Sequence, residues 1–128
     1  MKCLYSIANV DRVRARTECD LYSRALQEWK IGTAAEVSSI GDRLRLLLDE
    51  VSPTRLCVED SDWSEVRGVL QNADSSLPTA AIFWEPDDVR KMAEAIGTAP
   101  STTPHSASLT AWLGQEAQRS RSVIALSL

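Results

Sequence analysis

The sequence predicts an α/β domain: three or four strands in a mostly parallel or mixed sheet, helices covering it, and a long N-terminal αα-hairpin. Three observations predict this. Short apolar runs of strand type, at residues 56–58, 80–84 and 123–126, alternate with segments of helical period. Strands joined through helices favour a parallel or mixed sheet, because the crossover returns the chain to its starting end. Two of those runs, moreover, end in a burst of acid and then a helical pattern, the strand–loop–helix order of α/β folds. Finally, residues 11–51 hold helical periodicity with only Gly32-Thr33 between two stripes, which reads as adjacent helices.

Each element follows from local chemistry. Cys3, Tyr5 and Ile7 alternate like a strand, while Leu4, Ile7 and Ala8 continue a helical face; Asn9 and Asp11 as fresh helix caps favour the strand. Over 11–30, Val13, Thr17, Leu21, Ala25 and Trp29 recur at spacing four, giving a helix. Over 34–51, Val37, Ile40, Leu44, Leu47 and Val51 step 3-4-3-4, the seam spacing of a coiled coil, and Pro53 ends the helix. Residues 54–59 read as a strand and 62–73 as a helix, with Asp62 and Glu65 at capping-box spacing. Turn residues fill 72–78. A strand over 79–85 is followed by Pro86 in the first turn of a helix that closes at Gly97. A flexible loop over 98–106, a helix over 107–120 and a strand over 122–127 complete the order β?ααβαβααβ.

The 128 residues fit one domain, 1–128, divided into the helical hairpin (11–51) and the sheet-forming part (52–128). The charge is uneven. Residues 1–51 hold eight basic and eight acidic residues; residues 52–128 hold six and ten, and carry all of the net −4. That argues against nucleic acid or an anionic membrane as a partner and leaves basic proteins and cations. No apolar run approaches the ~20 residues of a membrane helix, and nothing resembles a signal peptide. Three cysteines without close spacing suit reduced thiols, so a cytoplasmic location is expected.

The candidate site is the pair of acidic clusters: Glu59, Asp60 and Asp62 beside Trp63, and Glu85, Asp87 and Asp88 beside Trp84. If their strands are parallel, both clusters share one sheet edge, where converging carboxylates can meet a basic partner or hold Mg²⁺. The competing reading is that each acid caps a helix N-terminus and offsets its dipole. Trp63 and Trp84 are interface anchors in the first reading and core-closing rings in the second. His105 is a lone histidine and cannot make a histidine-based metal site. Cys57 reads as a buried, inert thiol.

Two local resemblances bear on function. Cys57-Val58-Glu59-Asp60-Ser61-Asp62 resembles the first strand of two-component receiver domains, with its acidic pair. Trp84, however, stands where a receiver needs its phosphorylatable aspartate, and no lysine-bearing strand follows. The stretch from the strand ending in Trp84 to the terminal Ile/Leu/Ser strand is similar in architecture and composition to the C-terminal half of the barstar family, acidic inhibitors of a basic ribonuclease. That resemblance implies a small acidic protein that binds a protein; no diagnostic motif matches.

The expected function is therefore a non-enzymatic protein-binding module, of inhibitor or immunity type, with no cofactor and no metal. It binds a basic partner through Glu59, Asp60, Asp62, Trp63, Trp84, Glu85, Asp87 and Asp88. One alternative is a Mg²⁺-dependent or nucleotide-binding enzyme with its carboxylates at the strand ends. Another is an adaptor that forms a homodimer through Val37, Ile40, Leu44, Leu47 and Val51.

Overall fold

Residues 2–7 form a strand because both of its faces find apolar cover. Cys3, Tyr5 and Ile7 point to one side, Leu4 and Ser6 to the other, and all five are buried. The computed structural model describes residues 1–27, 34–52, 54–98 and 104–127. Strand β1 (Lys2–Ile7) leads through a 3-10 turn (Asn9–Asp11) into α1 (Arg12–Gln27) and α2 (Ala34–Val51). There follow β2 (Arg55–Val58), α3 (Asp60–Ala73), β3 (Phe83–Trp84), α4 (Pro86–Thr98), α5 (Pro104–Gln118) and β4 (Ser122–Ser127).

The four strands lie in the order β2-β1-β4-β3, and every neighbouring pair is antiparallel. This corrects the expected mostly parallel or mixed sheet. The reason is the number of passes between strands. One helix returns the chain to the starting end and gives a parallel strand; two helices deliver it to the far end. Two helices separate β1 from β2, and two separate β3 from β4. Between β2 and β3 the segment after α3 makes a return pass as successive turns, Leu77 N–H to Asp74 O (3.2 Å), Thr79 N–H to Leu77 O (2.9 Å) and Ala81 N–H to Pro78 O (3.1 Å). Those turns also consume most of the strand expected over 79–85, leaving two residues.

The sheet is the middle layer. On one face Cys3, Tyr5, Ile7, Ile124 and Leu126 pack against Ala15 and Cys19 of α1 and Leu44 and Leu48 of α2. On the other, Leu4, Val58, Val123 and Ala125 pack against α3, α4 and α5 through Trp63, Val66, Leu70, Val89, Met92, Ile96, Leu109 and Leu113. The stripe read as a homodimer seam is thus used inside the chain: Leu44 and Leu47 are buried, and Val37, Ile40 and Val51 are half-buried. Against the helices expected over 62–73 and 107–120, α3 starts two residues earlier and α5 spans 104–118, so the last part of the expected loop 98–106 is helical. Trp29, Gly32, Thr33 and Pro53, on which parts of the helix expectations rest, lie outside the described residues.

The turn from α5 into β4 is closed by Ser120 N–H to Ala117 O (3.1 Å) and Arg121 N–H to Glu116 O (3.1 Å), a Schellman pattern. It places Ser120 at φ 52°, the left-handed region that a side chain resists. Ser120→Gly is expected to raise the unfolding free energy by about 0.5–1 kcal/mol, the relief of the side-chain clash less glycine's extra chain entropy. Urea denaturation followed by tryptophan fluorescence measures it; an unchanged or lowered midpoint would mean the serine fits this turn without penalty.

Candidate functional site

The two acidic clusters do not share an edge. Strands β2 and β3 are the two outer strands. Since β2 opposes β1 and β3 runs with β1, they also point in opposite directions. Their C-terminal ends, and the acids that follow, lie at opposite ends of the sheet. This removes the convergence on which a shared carboxylate edge, and the Mg²⁺ reading, depended. Among the described residues no group of three or more histidine, cysteine or acidic side chains is placed to hold a metal ion.

At the β2–α3 corner the chain stays extended through Glu59 (φ −64°, ψ 151°) before turning into α3. Glu59 takes the N-cap position, yet its side chain makes no capping hydrogen bond. Asp60 is 76% exposed and meets the amine of Met1 at 3.0 Å. Asp60 and Asp62 both stand in the first turn of α3, where the free N–H groups and helix dipole favour negative charge. Beside them, Lys2 lies over the Trp63 ring at 5.6 Å. Burial holds the Lys2 ammonium below its ordinary pKa, with Arg67 adding to the effect and Asp60 opposing it.

At the β3–α4 corner the acids are engaged internally. Glu85 pairs with Arg16 of α1 and lies 3.8 Å from Arg12. Asp88 Oδ2 accepts the Glu85 backbone N–H at 3.2 Å, which closes the first turn of α4. Asp87 meets Arg90, one turn on, at 3.3 Å. Arg12 and Arg16, which the sequence shows only as a basic run, therefore tie the hairpin to this corner.

The two tryptophans do come together, but inside. Trp63 is 8% exposed and Trp84 1%. Their rings stack with centroids 5.8 Å apart, and Trp84 Nε1–H donates to Ala81 O at 3.0 Å. The expectation that they anchor a partner at the surface is corrected: they join α3 to the sheet.

A buried polar cluster escaped sequence reasoning. Glu116 of α5 is fully buried. It accepts hydrogen bonds from Ser6 Oγ of β1 and, at 3.1 Å, from Thr54 Oγ1 just before β2. Arg119 and Arg121 approach it at 3.6 and 3.9 Å. A signal was present: Leu109, Trp112, Leu113, Glu116 and Ala117 form one helical stripe, so Glu116 stands at a core position. Nearby, Ser122 Oγ is buried with no hydrogen-bond partner among the described residues. The cluster links three elements at one end of the sheet, with Glu116 and Ser6 buried and Thr54 and the two arginines reaching partly to solvent.

The cysteines need a second correction. Cys3 and Cys57 face each other across β1 and β2 and form a disulfide, so they are not reduced thiols. Cys19 is free and buried; burial first, then Asp20 and Glu18, pushes its thiol up to about 12. No described helix is long and apolar enough to cross a membrane.

No protein-family model, curated protein or solved structure matches the chain, and the local resemblances to receiver domains and to barstar gain no support from that quarter.

Proposed function

We propose that this chain is a non-enzymatic protein-binding module that takes a basic partner at the β2–α3 corner, through Glu59, Asp60 and Asp62. One observation carries the reading. Glu59 at the N-cap and Asp60 in the first turn of α3 are exposed, Asp60 against the Met1 amine with Asp62 half-buried beside it, and no arginine among the described residues pairs with Glu59 or Asp60, whereas Glu85 and Asp87 are paired with arginines and Asp88 caps α4. Charge placed this way steers encounter with a cationic surface. A role of inhibitor or immunity type fits the net charge of −4 in a small chain. Trp63 and Trp84 enter the proposal as the stacked support that fixes α3, and not as contacts. A cytoplasmic location requires that Cys3 and Cys57 be held as thiols there, or that their disulfide survive a reducing compartment.

The test is surface-plasmon kinetics at several salt concentrations, using the partner that the immobilised chain captures. Electrostatic steering acts on association and weakens with salt. Glu59→Gln with Asp60→Asn should therefore slow association about tenfold at low salt and flatten its salt dependence, with little change in dissociation. Wild-type rate and salt slope in that double variant would move the binding surface elsewhere.

A further inference from the structure

The two edges of the sheet are finished differently. In the β1–β2 ladder Ser6 N–H donates to Thr54 O at 3.0 Å. With Lys2 opposite Val58 and Leu4 opposite Leu56, the even-numbered residues of β2 exchange hydrogen bonds with β1. Arg55 and Cys57 therefore turn their N–H and C=O groups away from the sheet. Glu59, still extended, continues the same alternation. Among the described residues no other backbone group bonds Arg55 or Cys57 on that side. The opposite edge is shorter and guarded. Strand β3 has two residues, only Phe83 faces outward, and Arg16 lies over the Phe83 ring at 5.3 Å. Proteins usually blunt a free edge by such means; β2 is left open.

The open edge is also self-complementary in charge. It reads Arg55-Leu56-Cys57-Val58-Glu59, with a cation at one end, an anion at the other and no charge between. Arg55 and Glu59 are both exposed, and neither makes an ion pair with another described residue. An antiparallel copy centred on Cys57 sets Arg55 directly opposite Glu59 of the other copy, twice. The outward-facing residues are 55, 57 and 59, so this register meets hydrogen-bonding groups with hydrogen-bonding groups. A shift of one residue would not.

We propose that two copies of this chain pair antiparallel through their β2 edges, joining two four-stranded sheets into one. Cys57 faces Cys57 across the two-fold axis and exchanges both backbone hydrogen bonds. Glu59 N–H donates to Arg55 O of the other copy on either side; Glu59 O already accepts from Trp63 N–H at 2.9 Å. Side chains of Arg55 and Glu59 then lie opposite on one face of the joined sheet, where unlike charges stabilise the pair and like charges oppose it. The disulfide fixes the Cys57 side chain to β1, so the edge is held in strand geometry before it pairs. The contact is short, and a dissociation constant of roughly 10–100 μM is expected for an interface below the standard size.

Sedimentation equilibrium over a wide concentration range tests this. Arg55→Glu and Glu59→Arg should each weaken self-association at least tenfold, since each places like charges opposite. The double variant Arg55→Glu/Glu59→Arg restores the complement and should return to within about threefold of wild type. Glu59→Pro, whose ring suits the φ of −64° at that position, removes the N–H that donates to Arg55 O and should abolish pairing, whereas Glu59→Gln, which loses only the charge, should weaken it and not abolish it. Circular dichroism of each variant confirms that the monomer is folded. A wild-type chain that stays monomeric up to about 1 mM, a double variant no better than the singles, or a dimer indifferent to Glu59→Pro would each overturn the proposal. Glu59 belongs to both surfaces and Arg55 to this one alone, so Arg55→Glu tests the pairing without altering the acids of the basic-partner surface.

Discussion

Replacing Glu116 with alanine is expected to lower the unfolding free energy by about 3–5 kcal/mol, the usual loss when one member of a buried charged network is removed. The carboxylate is fully buried and is the common acceptor for Ser6, Thr54 and the two arginines. Without it the two hydroxyls lose their partner, and the partly buried Arg121 guanidinium faces an apolar void. Each unsatisfied buried polar group costs about 1–3 kcal/mol. Glu116→Gln keeps the shape, with its amide oxygen accepting from one hydroxyl and its amide N–H donating to the other, while the charge opposite the arginines is lost, so a smaller loss of about 1–2 kcal/mol is expected. Urea denaturation followed by far-UV circular dichroism separates the two. A more telling variant removes the network whole: Glu116→Leu with Ser6→Ala and Thr54→Val. Apolar replacement of a buried network is often neutral or stabilising, so this triple variant should recover most of the loss. If Glu116→Ala costs less than about 1 kcal/mol, water reaches the cluster and it contributes nothing to the fold.

Helices and direction were unequally legible in the chain. The 3-4-3-4 stripe of α2 and the run at β4 lie where their patterns put them, because periodicity is a local property. Strand direction is not local. It depends on how many passes separate two strands, and the decisive pass after α3 is made by turns at Asp74, Leu77 and Pro78 that carry no periodic signal. Burial on both faces added to the error. Strand β4 is buried at five of its six residues, so it reads as the continuous apolar run typical of parallel strands; here the hairpin on one face and three helices on the other produce the same pattern in an antiparallel sheet.

The candidate site was legible residue by residue and not as a constellation. That Asp60 and Asp62 would stand at a helix start follows from their position after an apolar run. Which acids would be left for a partner does not, since Glu85 is engaged by Arg16, sixty-nine positions earlier in the chain. The tryptophans mislead for the same reason. Beside acids in sequence, they meet each other in space.

Loss of the Cys3–Cys57 bond is expected to lower stability by about 4 kcal/mol, the chain-entropy value for cross-linking residues 54 apart. The loop it closes contains both helices of the N-terminal hairpin. The effect should also be local. Strand β2 is four residues long, borders β1 alone, and keeps only Val58 fully in the core. With Cys3→Ser and Cys57→Ser together, hydrogen exchange at the β2 amides should rise more than at β4, which is hydrogen-bonded on both sides. Cys19 does not interfere. Exchange requires a thiolate, and with its thiol pushed up to about 12 Cys19 stays protonated at neutral pH. Thiol titration therefore makes a clean assay: no reactive thiol in the native protein, one after unfolding without reductant, and three after reduction. A native protein that titrates two thiols at once would mean the cysteines face each other unbonded. The stability gap between oxidised and reduced protein would then vanish, and β2 would be held by its ladder with β1 and its apolar contacts.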